Sequence, residues 1–596
     1  MNRLIELNKA TAVFFVVLGL GCFCLSPLTQ AVNPPPDGGY PNNNTAEGDK
    51  ALFSLTRGLA NTAIGQQALQ DNATGSFDTA IGAFALQSDT GIGSNTAVGA
   101  FALQKNTTGT NNTATGVTAL FFNTTGNHNT ATGVRALENN TRGSLNTANG
   151  EDALLFNTTG NANTAIGAEA LNGNTTGGDN TAIGAEALIR NTTGFNNTAT
   201  GFEALRGNIT GSNNTATGFQ ALMINFFAEG NTANGAFALT NNTDGANNTA
   251  IGASALQNNT SGDHNTATGE EALRANTTGG ANTANGFQAL SENTTGIQNT
   301  ATGSQALVNN TTGNANTANG FQALLNNTTG TYNTASGFRA LISNMGDFNT
   351  ATGAGALLFN EADENTATGA AALLNNTTGG FNTAAGSATL FNNTTGAHNT
   401  ANGFQTLSNN TSGNDNVALG FLAGNNQTTG NNNVYIGSNI LGVVGENNAC
   451  YIASIFGQTS ADGIPVLINS NNKLGTATSS ARFKCDIHDM DKASEALFAL
   501  RPVAFRYKKE IDPTGISQLG LVAEDVDKVN HDLVVRDKQG KPYTVRYDQV
   551  NAMLLNEFLK EHRTVRELKA TVAQQQKQIE ALTAGLQKVS AQLEGE

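Results

Sequence analysis

The chain has 596 residues, of which 68 are glycine, 9 are proline and only 13% are charged. That length exceeds one ordinary core, and 38% apolar residues with so few charges exclude ordinary disorder, which needs high charge and few apolar groups. The net charge of −15 lies on residues 32–478, with 26 acidic against 10 basic residues, while 479–596 holds 18 of each; so acidic a body repels nucleic acid and anionic membrane.

The N-terminus carries Arg3 and Lys9, then an apolar run from Ala10 to Leu25, then Ser26-Pro27 and the small residues before Ala31. This is the three-part pattern of a secretory signal peptide over 1–31. The run falls short of the roughly 20 residues needed to span a bilayer, so no membrane span is expected in the mature chain, and retention as an N-terminal anchor is the alternative. Export to the medium or the cell surface follows. Cys22 and Cys24 lie in this run; Cys450 and Cys485 remain, as a disulfide or as buried free thiols. Residues 32–43 read as a linker.

From Asn44 to Gly437 the sequence returns every 17 residues as N-T-A-x-G-x-x-A-L-x-x-N-x-T-G-x-x, with steps of 16 at Asn333 to Asn349 and Asn349 to Asn365. A fixed short period means a solenoid. Helix is excluded by the recurrent glycines. The Asn-Thr-Thr-Gly stretches carry turn chemistry, while Thr-Ala-x-Gly and x-Ala-Leu read as two short strands per coil. No proline occurs between Pro41 and Pro465, as a hydrogen-bonded ladder requires. Stacked coils would make a rod on the order of 110–120 Å long. One such coil encloses little core, which three chains sharing an apolar face would complete. The repeat resembles the heads of trimeric autotransporter adhesins, whose short Ala-Gly-Asn repeats form parallel β-rolls in threes; those repeats are usually shorter than this one. That resemblance implies an adhesive or structural rod, with a surface glycan or matrix component as ligand.

Other chemistries fit the repeat poorly. No regular aspartate recurs for calcium binding. Thr-Ala-Thr, as at Thr113 and Thr130, is broken elsewhere by Ile, Asn or Ser at its third position, so no uniform ice-binding array forms. His128, His264 and His398 occupy a variable turn position rather than a metal-ligand spacing, and no cofactor site is apparent. No fixed pair of carboxylates recurs to support glycan hydrolysis, the chemistry of a glycan-active spike. The Asn-x-Thr triplets match glycosylation acceptors but follow from the period itself.

Residues 438–478 form a neck, with strands at Ala449–Gly457 and Ile464–Ile468 joined by a turn at Asp462-Gly463. At 479 the composition changes to that of an ordinary α+β domain. The motifs are Ser479-x-x-Arg482-x-Lys484-x-Asp486-Ile487, Leu500-Arg501-Pro502-Val503-x-Phe505-x-Tyr507, Gly520-Leu521-Val522-Ala523-Glu524-Asp525-Val526 and Val545-x-Tyr547. On these motifs 479–596 resembles the intramolecular chaperone of phage endosialidases and tail spikes, the S74 peptidase family. The resemblance implies a domain that trimerises, templates the preceding β-structure, and then cleaves itself off once. It places Ser479 as nucleophile, Lys484 as base and the cut between Thr478 and Ser479. A serine needs such a base, and lysine serves when burial favours its neutral form. An aspartate commonly follows the family's serine; Ser480 stands here, which leaves either serine to attack, with the spacing to Lys484 favouring Ser479. His531 stands where proline is common and reads as structural. The alternative is a permanent trimer cap that never cuts.

From Asn556 to about 594 the chain reads as a coiled coil. Val565, Leu568, Val572, Gln575, Ile579, Leu582, Leu586, Val589 and Leu593 alternate steps of three and four. The expected fold is therefore mainly β: a trimeric parallel solenoid, an α+β chaperone domain, and a coiled-coil helix.

Overall fold

The structure is a computed structural model that describes residues 40–469 and 471–595. The expected signal peptide at 1–31 lies outside the described residues, as does most of the linker. The chain divides into two compact units, one ending at Gly457 and the other beginning at Gln458.

The first unit is a parallel β-solenoid. Each coil contributes one three-residue strand, from β1 (Thr45–Glu47) to β25 (Cys450–Ile452), and all 25 join one sheet. Register follows the period: Thr113 lies over Thr130 and Ala114 over Ala131, and the short steps keep it, with Thr334 over Thr350 and Thr350 over Thr366. The strand alternates, with the central Ala buried between outward neighbours. The x-Ala-Leu segment differs from expectation: it is a corner, not a second strand. There Thr118 and Leu120 have φ of 55° and 52°, and the pattern returns at Arg135 and Leu137. A left-handed non-glycine residue costs about 1–2 kcal/mol, whereas full burial of a leucine contributes about 2 kcal/mol, so driving Leu120 inward outweighs the strain.

The asparagines also do more than turn the chain. Asn112 and Asn123 are fully buried, and both donate to the carbonyl of Gly126, at 2.9 and 3.0 Å. Each also reaches the previous coil: the Asn112 backbone N–H donates to Asn95 Oδ1 at 3.0 Å, and Asn123 Nδ2 to Asn106 Oδ1 at 2.7 Å. Two internal amide ladders thus run along the solenoid and satisfy its buried backbone. A Cβ at Gly126 would stand 2.3 Å from the Gly143 carbonyl oxygen and 2.5 Å from Asn123 Oδ1, although Ala228 fills the same ladder position on another coil and accepts from Asn214 and Asn225. The asparagines of triplets such as Asn106-Thr107-Thr108 and Asn123-Thr124-Thr125 lie on this ladder, buried and closed to modification in the folded rod, whereas those that open Asn111-Asn112-Thr113 and Asn196-Asn197-Thr198 are exposed.

These ladders overturn the premise of a core shared between chains. Ala114, Ala119 and Leu120 are fully buried within a single chain, as are their counterparts on coil after coil. The neck reading changes as well. Cys450–Ile452 is not joined to the strand at 466; it is the last rung, in register with Val434–Ile436. Cys450 and Cys485 are free and exposed rather than buried.

The second unit opens with a hairpin, β26 (Val466–Ile468) against β27 (Leu474–Thr476), followed by 3-10 turns at Ala481–Phe483 and Asp491–Ala499. Two further hairpins follow: β28 (Val503–Phe505) with β29 (Gln518–Gly520), and β30 (Val534–Arg536) with β31 (Pro542–Val545). Helix α1 (Ala523–Val529) lies between the hairpins, and α2 (Tyr547–Leu593) closes the chain, starting earlier than the expected Asn556. Its small core joins Val526, Leu533, Val534 and Val545 to Val550 and Met553 of the first turns of α2.

Candidate functional site

Ser479 and Lys484 are brought together by one short turn. After Ser479, Ala481–Phe483 winds as a single 3-10 turn, with the Phe483 N–H donating to the Ser480 carbonyl at 3.0 Å and the Lys484 N–H to the Ala481 carbonyl at 3.1 Å. Five residues therefore return close to their start, and Lys484 Nζ donates to Ser479 Oγ at 3.3 Å. Arg482 lies over the Phe483 ring at 4.6 Å.

The pair lines a cleft of about 1050 Å³ together with Thr478. Its walls come from β26 (Val466, Leu467, Ile468), from Val535 and Arg536 of β30, from Tyr543 to Val545 of β31, and from Tyr547 of α2. The Thr478–Ser479 peptide therefore sits where an amine, a hydroxyl and a partly apolar wall meet. Both dyad residues are exposed in the single chain. The spacing of the two residues was legible in the sequence; the opposite walls, contributed from beyond residue 534, carried no local signal.

The remaining motifs hold the domain together. Arg501 Nη2 pairs with Asp525 Oδ2 at 2.8 Å, linking the second block to the third. The Leu521 N–H donates to Tyr547 Oη at 3.1 Å, linking the third to the fourth. The Arg501 bond, then that of Lys528, holds Asp525 below the usual carboxylate range. His531 Nδ1 lies 2.9 Å from Asp527 Oδ1, and this contact, ahead of that from Arg536, holds Asp527 low. His531 thus contacts Asp527 across one turn, the kind of contact a structural residue makes.

A second serine–lysine contact was not anticipated. Ser494 is fully buried, and it receives hydrogen bonds from Asn556 Nδ2 at 2.7 Å and Lys560 Nζ at 3.2 Å while its hydroxyl meets Glu557. Lys560 also pairs with Glu557 at 2.6 Å, which with Ser494 holds Glu557 low. This cluster fastens α2 to the 491–499 segment, and Ser494 does not line the cleft.

Among the described residues no group of three or more His, Cys, Asp or Glu could hold a metal, and no helix is long and apolar enough to cross a membrane. His128, His264 and His398 sit at the same left-handed turn position, with φ of 58°, 59° and 58°, on widely separated coils.

Residues 479–535 match the S74 peptidase family model, described as chaperone of endosialidase. The match begins at Ser479 and covers a short part of the chain, directly after the repeat. No curated protein and no solved structure matches. The chain therefore carries an endosialidase-chaperone domain behind a β-solenoid, an arrangement that fits a tail-spike-like protein.

Proposed function

We propose that the chain is an exported, homotrimeric β-rod of surface or adhesin-like role, assembled by its C-terminal chaperone domain, which then cleaves itself between Thr478 and Ser479. The observation that carries the cleavage is the 3.3 Å contact of Lys484 Nζ with Ser479 Oγ beside Thr478 in one cleft. Ser479 Oγ attacks the Thr478 carbonyl carbon and gives its proton to neutral Lys484. Collapse breaks the Thr478–Ser479 C–N bond, the proton passes to the released Ser479 amine, and an ester joins the Thr478 carbonyl to Ser479 Oγ. Water then hydrolyses the ester. Because nucleophile and scissile bond belong to one residue, the step gains the entropic advantage of proximity.

A lysine base needs its neutral form, which desolvation favours. In the single chain both residues are exposed, so the exclusion of water has to come from packing between chains. Cleavage would then follow assembly rather than precede it. The same exposure favours a second reading, a cap that assembles the rod and stays attached. The intact mass of purified wild type, beside Ser479→Ala and Lys484→Ala, separates the two. Two fragments divided at Thr478–Ser479 in the wild type alone support cleavage. A variant still cut there removes the dyad, and an intact wild type leaves the permanent cap.

A further inference from the structure

We propose that one longitudinal band of the solenoid, formed by the third residue of each strand and the residue after the following glycine, is the face along which copies of the chain lie side by side. The proposal rests on the homotrimeric reading and adds to it where the rods touch.

The band is apolar and exposed although every coil already has a sealed core. Ile166, Ile183 and Ile251 stand on it at the third strand position. Phe202, Phe219 and Phe338 stand on it after the glycine, at 44%, 45% and 52% exposure. The two positions compensate one another. Where the strand ends in Ile, as at Ile166 and Ile183, the later residue is alanine (Ala168, Ala185). Where the strand ends in Thr, Ser or Asn, the later residue is often large and apolar, as in Thr115 with Val117, Thr200 with Phe202, Ser336 with Phe338 and Asn402 with Phe404. Most coils thereby keep a large apolar group on the same strip while its attachment point changes, and Leu419 with Phe421 supplies two. The strip is interrupted where neither residue is large and apolar, as at Asn149 with Glu151, Asn234 with Ala236, Thr268 with Glu270, Thr302 with Ser304 and Thr368 with Ala370.

Charge is sorted the same way. Between Ile64 and Ser438 the band's only charged residues are Glu151 and Glu270, whereas the position just beyond it carries Arg135, Asp152, Glu186, Glu203 and Arg339. An apolar strip edged by charge is the anatomy of a protein interface, and identical chains of net charge −15 can approach only along a face without charge. The band recurs over most of the length of the solenoid, so its occupant has to be comparably long; a parallel copy has that length and period. A glycan fits less well, because ring pairs such as Phe202–Phe219 at 5.7 Å and Phe321–Phe338 at 5.6 Å stack on each other and cover the faces a sugar would use.

The test uses the full chain with Cys22→Ser, Cys24→Ser, Cys450→Ser and Cys485→Ser, carrying one new cysteine on the band (Phe219→Cys or Phe338→Cys) or off it (Phe195→Cys or Phe381→Cys). Alkylation by a bulky maleimide and linking by a short bis-maleimide are read beside the sedimentation mass. The expected result is band cysteines that alkylate at least tenfold more slowly than the controls and that link chains covalently, while the controls do neither. Band cysteines that alkylate freely in a three-chain particle overturn this inference and leave the trimer standing. Slow alkylation without linking also overturns it, because another occupant then covers the strip. A one-chain mass overturns both readings.

Discussion

The two units reach closure in opposite ways. In the solenoid each coil seals itself: Ala114 and Leu120 have no exposed surface, and Asn112 and Asn123 take up the polar atoms left inside. In the C-terminal unit the heptad leucines Leu582, Leu586 and Leu593 are 67%, 69% and 75% exposed, and the dyad is open to water. A rod whose coils are satisfied by their neighbours needs a starting rung and a register more than it needs a partner's core. A helix with an unsatisfied apolar seam needs other helices. On the proposed trimer, the C-terminal seam would start assembly, and the solenoid would supply length, stiffness and the band along which the copies lie.

Breaking the C-terminal seam should have the largest effect. Leu582→Asp with Leu586→Asp removes two apolar layers, each leucine contributing about 2 kcal/mol on burial in every chain, and adds buried charge. The expected outcome is a chain of one-copy mass with no cleavage at Thr478–Ser479, read by sedimentation and intact mass. Retained assembly would place its start elsewhere.

The next effect belongs to the rod. Gly126→Ala would push a methyl group against the Gly143 carbonyl and Asn123 Oδ1. Overpacking of this kind costs about 1–3 kcal/mol, and one coil cannot relax without shifting its neighbours. Hydrogen exchange should rise in the coils around Gly126 and stay unchanged in 479–596.

A third prediction concerns pH. Asp78 and Asp89 replace ladder asparagines, both fully buried, and Asp89 Oδ2 has no hydrogen-bond partner. Burial pushes Asp78 up to about 6; burial and then the neighbouring Asp78 charge push Asp89 up to about 7. The unfolded carboxyls lose their protons near the ordinary value of 3.8 while the folded ones keep theirs. Stability of these coils is therefore greatest below about 4. It falls as pH rises to about 7, then levels. The loss from Asp78 alone is about 3 kcal/mol. Asp78→Asn with Asp89→Asn restores the amide donors and should lower hydrogen exchange of residues 62–98 at pH 8 while leaving it nearly unchanged at pH 4. Equal protection at both pH values in wild type and variant would contradict this.

Tyr547→Phe should have the smallest effect. It removes the hydroxyl that accepts from the Leu521 N–H, at a cost of about 1 kcal/mol. Chemical denaturation of 479–596 within the full chain should register that loss, with the rod transition unmoved.

The period alone was enough to read a parallel stack with Ala and Leu inside, because equal steps place like over like. It hid the corner at Leu120, since a left-handed leucine contradicts local preference and is stabilised only by the coil around it. Asn112 and Asn123 read as turn residues for a similar reason: their partners at Asn95 and Asn106 lie a full coil away. The thin core looked incomplete only because these ladders were not counted. At the candidate site the separation of Ser479 and Lys484 was visible, whereas the walls at Ile468 and Tyr543 arrive through tertiary packing.

The central claim is that the chain closes as a rod alone and assembles through its C-terminal unit. Sedimentation equilibrium of the full chain carrying Ser479→Ala, which keeps it in one piece, tests it most directly. The account predicts a single species at three times the 61.3 kDa chain mass, and one chain mass once Leu582→Asp and Leu586→Asp are added. A one-chain mass without those substitutions, or three chains with them, would contradict it.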